Sequence, residues 1–187
     1  MHWLSGRDHD RPVAQSVTMG RGQIRIRRLG ADEVDLHRDV RLRALRDAPD
    51  SFGETLADAT ARPPSYWEDL TRSVTEPGRH VMFLVCEQDR VHGSVYGLLD
   101  RERADVGRVG GMWVEPTWRR RGAGRALLQA VSDWARERSF CRLGLWAPGH
   151  SEAALALYRQ AGFRDTGNRR ALPSNPALHV VEMECRL

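Results

Sequence analysis

From Gln23 to Leu29 the chain reads QIRIRRL, alternating apolar and polar at first, the period-two pattern of a strand with one buried face. The period then lengthens. Val34, Leu36, Val40, Ala44 and Leu45 recur near helical spacing, and Asp32 is placed to cap that helix. Residues 46–64 carry Pro, Gly, Asp and Ser punctuation around Phe52, after which Pro63-Pro64-Ser65 opens a short helix through Tyr66, Trp67 and Leu70. Between Val81 and Leu99 two apolar runs flank Glu87-Gln88-Asp89-Arg90, the pattern of a hairpin. GGMWV is a strand ending at Val114. A Gly-Ala-Gly segment then leads into a helix with Leu127, Leu128, Val131, Trp134 and Ala135 on one face and Gln129, Asp133, Arg136 and Glu137 on the other. RLGLWA reads as a strand, Ser151 to Ala161 as an alanine-rich helix stopped by Gly162, Phe163 as the start of a short strand, and Val180 to Leu187 as the last one. The order is mixed α/β, with hairpins at both ends and a strand-helix-strand unit in the middle.

A length of 187 residues suits one domain, expected over residues 22–187, with no repeat or linker. Residues 1–21 show neither periodicity nor the apolar core of a signal peptide and are expected to be a disordered extension, with Met19 an alternative initiator. No apolar run approaches the ~20 residues a membrane helix needs. All 29 basic residues are arginine, so no lysine can act as base, Schiff-base former or acyl acceptor on this chain. A formal net charge of +4 favours an anionic partner but is modest for a nucleic-acid binder. Cys86, Cys141 and Cys185 stand singly in apolar contexts, without CxxC pairs or histidines at metal-ligand spacing. They are expected to be small buried hydrophobes in a reducing cytoplasm, with no metal site.

The chemistry concentrates in WRRRGAGRALL, residues 118–128. Val114, Glu115 and Pro116 close a strand, and a helix begins near Gly122. First-turn amides lack intrahelical acceptors, the helix dipole adds positive charge, and glycines let an anion reach the backbone. Arg119, Arg120, Arg121 and Arg125 surround the same spot and can meet phosphate oxygens. A P-loop would need GxxxxGK[ST], and the dinucleotide fingerprint would need a third glycine where Leu127 stands. Taken alone, an arginine run also fits a solvated face.

The segment MWVEPTWRRRGAGRALL resembles the acetyl-CoA motif of the GNAT superfamily of N-acetyltransferases, a strand ending V-x-P followed by [QR]-x-x-G-x-[GA], matched by Arg119, Gly122 and Gly124. A second family motif, A-x-x-L-Y-x-x-x-G-F, is matched by Ala154, Leu157, Tyr158, Gly162 and Phe163. The element order from Ile24 to Leu187 also fits, and RALRDAPDSFGETLADA resembles the early helix and loop that border the acceptor site in many bacterial members. The resemblance implies a central, mostly antiparallel twisted sheet of about six to seven strands, splayed in the middle and flanked by about four helices. It implies that the backbone of Met112, Trp113 and Val114 holds the pantetheine arm and that amides of Arg120, Arg121, Gly122, Ala123, Gly124 and Arg125 hold the pyrophosphate. Tyr158 is then the general acid for the departing thiolate; without the motif it reads as a core aromatic beside Leu157.

Two positions depart from the family pattern. Ser151 stands where many relatives have Asn; it can still cap the following helix and give one hydrogen bond. Arg108 stands where relatives often place a glutamate base. Candidate bases are Asp105, Glu115, Glu102 and His150, or water relayed to solvent, while Trp113, Tyr66, Trp67 and Phe52 are candidates to line the acceptor pocket. The implied reaction is acetyl transfer from acetyl-CoA to a primary amine by direct attack in a ternary complex, with no covalent enzyme intermediate. The amine could belong to a small molecule, a peptide or a protein, and a homodimer would be common for the fold. Two rival readings are a non-catalytic acyl-CoA-binding module and a nucleic-acid binder, the latter requiring affinity that falls steeply with salt.

Overall fold

The computed structural model describes residues 15–19, 22–78 and 80–187. Its strands are β1 (Gln15–Met19), β2 (Gly22–Arg28), β3 (Val81–Glu87), β4 (Arg90–Leu99), β5 (Val106–Val114), β6 (Arg142–Pro148), β7 (Arg164–Leu172) and β8 (Asn175–Arg186). The helices are α1 (Val34–Asp47), α2 (Leu56–Ala61), α3 (Pro64–Thr75), α4 (Ala123–Glu137) and α5 (Glu152–Gln160). All eight strands join one sheet in the order β1-β2-β3-β4-β5-β6-β8-β7. Every neighbouring pair is antiparallel except β5 and β6, whose parallel alignment requires the crossover that α4 supplies.

The expected mixed, mostly antiparallel sheet flanked by helices is what folds, with some added elements. β1 lies inside the stretch expected to be a disordered extension and pairs with β2, Val17 opposite Ile24. Residues 1–14, 20 and 21 of that expectation lie outside the described residues. α2 forms within the punctuated stretch after Phe52, capped by Thr55, whose side-chain oxygen accepts from the Asp58 N–H at 3.1 Å. The first turn of α1 is preceded by Glu33 rather than capped by Asp32. Glu33 reaches back to the Gly30 N–H at 2.7 Å and holds Arg27 at 2.6 Å, so its carboxylate serves as the local anchor.

Two hydrophobic cores lie on opposite faces of the sheet. In β3 the alternation divides them: Val81, Phe83 and Val85 pack toward α4, while Met82, Leu84 and Cys86 pack toward α1 and α3. Burial on both faces is why VMFLVCE is continuously apolar. The predicted inward face of α4 is buried in full; Leu127 and Val131 are wholly inaccessible, and each side chain buried this way stabilises by roughly 1.5–3 kcal/mol. The cysteines divide. Cys86 is buried as expected, whereas Cys185 is half-buried and Cys141 is exposed at the start of β6, because Cys141 falls in the turn rather than on the strand's inward positions.

Candidate active site

Pairing between β5 and β6 covers Val106↔Arg142, Gly107↔Leu143 and Arg108↔Gly144 and then ends. Past that point β5 remains bonded to β4, Trp113 opposite Ser94 and Val114 opposite Gly93, while β6 remains bonded to β8 as far as Pro148↔Val180. The facing backbone edges of Met112–Val114 and of the C-terminal half of β6 therefore border an opening in the sheet. Met112 and Val114 pack toward the α4 core and Trp113 toward the α1/α3 core, so the three residues present their backbone, not their side chains, to that opening.

The loop after β5 is tied down at Asp47, the last residue of α1. Its Oδ2 accepts the Trp113 indole N–H at 2.9 Å and also a guanidinium N–H of Arg119, whose Nε donates to the Val114 carbonyl at 2.9 Å. Arg119 is thus committed to holding the loop. Arg120, Arg121 and Arg125 are exposed around the α4 N-terminus, Arg121 over the Trp118 ring at 5.4 Å. Gly122 enters the helix at φ +83°, a left-handed conformation that favours glycine. Gly124 lets α4 approach its neighbours: a Cβ there would lie 3.0 Å from Leu157 and 3.2 Å from the Met112 methyl. Ala126 donates to the Gly122 carbonyl at 3.0 Å, and among the described residues no acceptor meets the amides of residues 120–125. The segment is therefore a row of free N–H groups at the positive end of a helix, the chemistry that holds a pyrophosphate.

Ser151 caps α5, its Oγ accepting from the Ala154 N–H at 3.4 Å. Tyr158, on the last turn of α5, is buried beside Phe163, with ring centroids 5.9 Å apart. Its hydroxyl has no hydrogen-bond partner among the described residues, and burial raises its pKa to about 12.

A cavity of about 690 Å³ opens against the same gap, with Val109–Gly111 of β5 and Leu145 and Trp146 of β6 in its wall. Phe52, Tyr66 and Trp67 line it. Trp113 does not; it is 4% exposed in the core, with Arg43 over its ring at 5.2 Å. None of the four candidate bases lines the cavity. Asp105 pairs with Arg142 at 2.9 Å below the paired part of β5. Glu115 accepts from His92 Nδ1 at 2.5 Å and lies near Arg43 and Arg90. Glu102 and His150 are exposed in turns.

Several cavity residues carry no local sequence signal. Glu54 brings a carboxylate, held by Arg41 at 3.1 Å and Arg62 at 3.4 Å. Tyr96 packs on the bulged part of β5, where a Cβ on Gly111 would fall 2.4 Å from its ring. Its hydroxyl lies 2.6 Å from Nε2 of His37, whose Nδ1 is 2.8 Å from Thr71 Oγ1. His37 falls on the inward stripe of α1, and that position was the available hint. Arg108 donates through Nε to Asp100 at 2.6 Å and through a terminal nitrogen to Glu182 at 2.9 Å. Burial pushes Asp100 upward, but the Glu102 and Arg103 amides and the Arg108 guanidinium outweigh it and hold its pKa at about 2.

The model of the acetyltransferase (GNAT) family matches residues 42–163. The aminoglycoside N(6')-acetyltransferase type 1 of Stenotrophomonas maltophilia is 31% identical over 109 residues, which are 53% of this chain and 69% of that protein. The mycothiol acetyltransferase of Nocardiopsis dassonvillei is 31% identical over 137 residues, 72% of this chain but only 41% of the relative's length. In three dimensions, an acetyltransferase of the GNAT family from Streptococcus pneumoniae superposes with a TM-score of 0.73 at 18% identity, over 88% of this chain and 99% of that one, a likeness of fold. The family match spans the segment that builds the sheet opening, the free amide row and Tyr158, and by it this chain belongs to the GNAT family of acetyltransferases.

Proposed function

We propose that the protein transfers the acetyl group of acetyl-CoA to a primary amine by direct attack in a ternary complex. The observation that carries this reading is the row of unpartnered amides from 120 to 125, continuous with the free backbone edge of Met112–Val114. Amides of Arg120, Arg121, Gly122, Ala123, Gly124 and Arg125 would hold the pyrophosphate. The β5 edge would take the pantetheine arm as a further strand, and Ser151 and Tyr158 would border its far end. Bound acetyl-CoA supplies the activated acyl group. The cavity on the other side of the gap gives the amine a place to meet it, which favours transfer over simple acyl-CoA binding.

Tyr158 donates a hydrogen bond to the departing sulfur. With a pKa raised to about 12 it holds its proton more tightly than a thiol near 8.5, so it stabilises the developing charge without giving the proton up in full. Because none of Asp105, Glu115, Glu102 and His150 lines the cavity, the acceptor enters as the neutral amine, its proton having passed to solvent. Glu54 is the carboxylate in the cavity wall, and Arg41 and Arg62 already hold it, so it is not a free base for that proton.

Calorimetric titration with acetyl-CoA, with CoA and ATP as controls at two salt concentrations, tests the donor site. Saturable binding of both CoA species with little response to ATP is expected, followed by thiol release with an amine. Absence of CoA binding by folded protein would sink the reading.

A further inference from the structure

Four arginines line the cavity, Arg41, Arg101, Arg108 and Arg170, against one carboxylate, Glu54. Two of the four are already engaged: Arg41 pairs with Glu54, and Arg108 bridges Asp100 and Glu182. Arg101 and Arg170 have no carboxylate partner among the described residues. This sets them apart from Arg41 and Arg108 in the same wall. Arg170 is moreover held in place, its guanidinium over the Trp146 ring at 4.2 Å, and Trp146 itself belongs to the cavity wall. A guanidinium resting on an indole face keeps its N–H edge for a planar oxyanion. Arg101 approaches from the β4–β5 turn and Arg170 from edge strand β7, so the two come from different elements.

We infer that the acceptor carries an oxyanion, a carboxylate or a phosphate, in addition to its amine, and that Arg101 and Arg170 bind it. The aromatic wall of Phe52, Tyr66 and Trp67 suits an apolar body between the two polar ends. A polycationic acceptor would meet uncompensated positive charge here. This inference rests on the reading of the cavity as the acceptor side of an acetyltransferase and adds the chemical class of the acceptor to it.

The test compares acetylation of matched amines by thiol release: benzylamine against para-carboxybenzylamine, tyramine against tyramine phosphate, and spermidine as the polycation. The oxyanion-bearing member of at least one pair is expected to have a kcat/KM roughly tenfold or more above its parent, the size of one charge-assisted contact. The pair that responds identifies carboxylate or phosphate. Combining Arg101→Ala with Arg170→Ala should abolish that preference through KM, bringing the two members of the pair to a similar kcat/KM; both side chains are exposed, and a thermal melt checks the fold. Preference for spermidine or for the parents that lack the oxyanion, or a preference indifferent to both substitutions, overturns the inference. Acetyl-CoA binding without thiol release from any of these amines overturns it too while leaving the donor site standing. Absence of acetyl-CoA binding removes the underlying reading as well.

Discussion

The backbone N–H of Phe163 donates to the carbonyl of Tyr158 at 3.0 Å, and their rings meet edge to face. Gly162, at φ +91°, donates to Arg159 at 3.0 Å and completes the left-handed stop of α5. The spacing from Leu157-Tyr158 to Gly162-Phe163 is therefore a helix-ending device that sets the phenol against an aromatic wall. Gly162→Ala keeps the side chains but strains the stop. It should cost about 1 kcal/mol of stability, read by denaturant unfolding, and reduce kcat through a displaced Tyr158.

Removing the hydroxyl isolates the chemistry. Tyr158→Phe should lower kcat by about a hundredfold with the acetyl-CoA dissociation constant nearly unchanged, since the ring stays packed and only the donor is lost. Unchanged turnover at saturating substrates would exclude the role. In the unaltered enzyme the rate should climb with pH as the acceptor loses its proton, with no decline from Tyr158 until pH approaches about 12.

Acid should weaken the fold through His37. Burial, with a smaller contribution from Arg41, lowers its pKa to about 4 from an ordinary 6.5. The unfolded chain then binds the proton first, so this contribution to stability is complete above pH 6.5 and is lost as pH falls toward about 4. The shift corresponds to roughly 3 kcal/mol over that window. Denaturant unfolding at pH 7 and pH 5 should show it, and His37→Gln should flatten the slope between them. An equal slope in both proteins would refute the assignment.

Arg108 occupies a structural post. It balances Asp100 and Glu182, whose side chains are each 7% exposed, with Arg103 farther away at 3.5 Å from both. Arg108→Ala should cost about 3 kcal/mol because it leaves buried carboxylates short of a partner. Arg108→Glu should be worse, a third acid in the same cluster, and should not raise turnover. Chemical denaturation of the two variants beside the unaltered protein checks the order.

Much of this molecule follows from local pattern. The period-two and helical stripes located β2, α1, the β3–β4 hairpin, α4 and α5, because each element buries one face and its apolar spacing records which. Gly122, Gly124 and Gly162 were legible for a related reason: left-handed turns and close helix approaches leave few other residues permitted. Chain neighbours also disclosed the amide row at 120–125, since a strand, a glycine turn and a helix start are consecutive. What joins distant segments was not legible. Asp47 tying Trp113 to Arg119, Tyr96 meeting His37, and Arg108 between Asp100 and Glu182 all depend on how helix α1 and the strands pack against one another. Asp105 and Glu115 are near the site in sequence, yet they sit just outside the two ends of β5, where Arg142 and His92 take them up. The cavity beside the sheet opening belongs to the same class, because its walls come from α1, α3, β4, β5, β6, β7 and β8. Sequence periodicity reports the environment of an element along its own axis, and only the tertiary fold decides which charges from separate elements share a cavity.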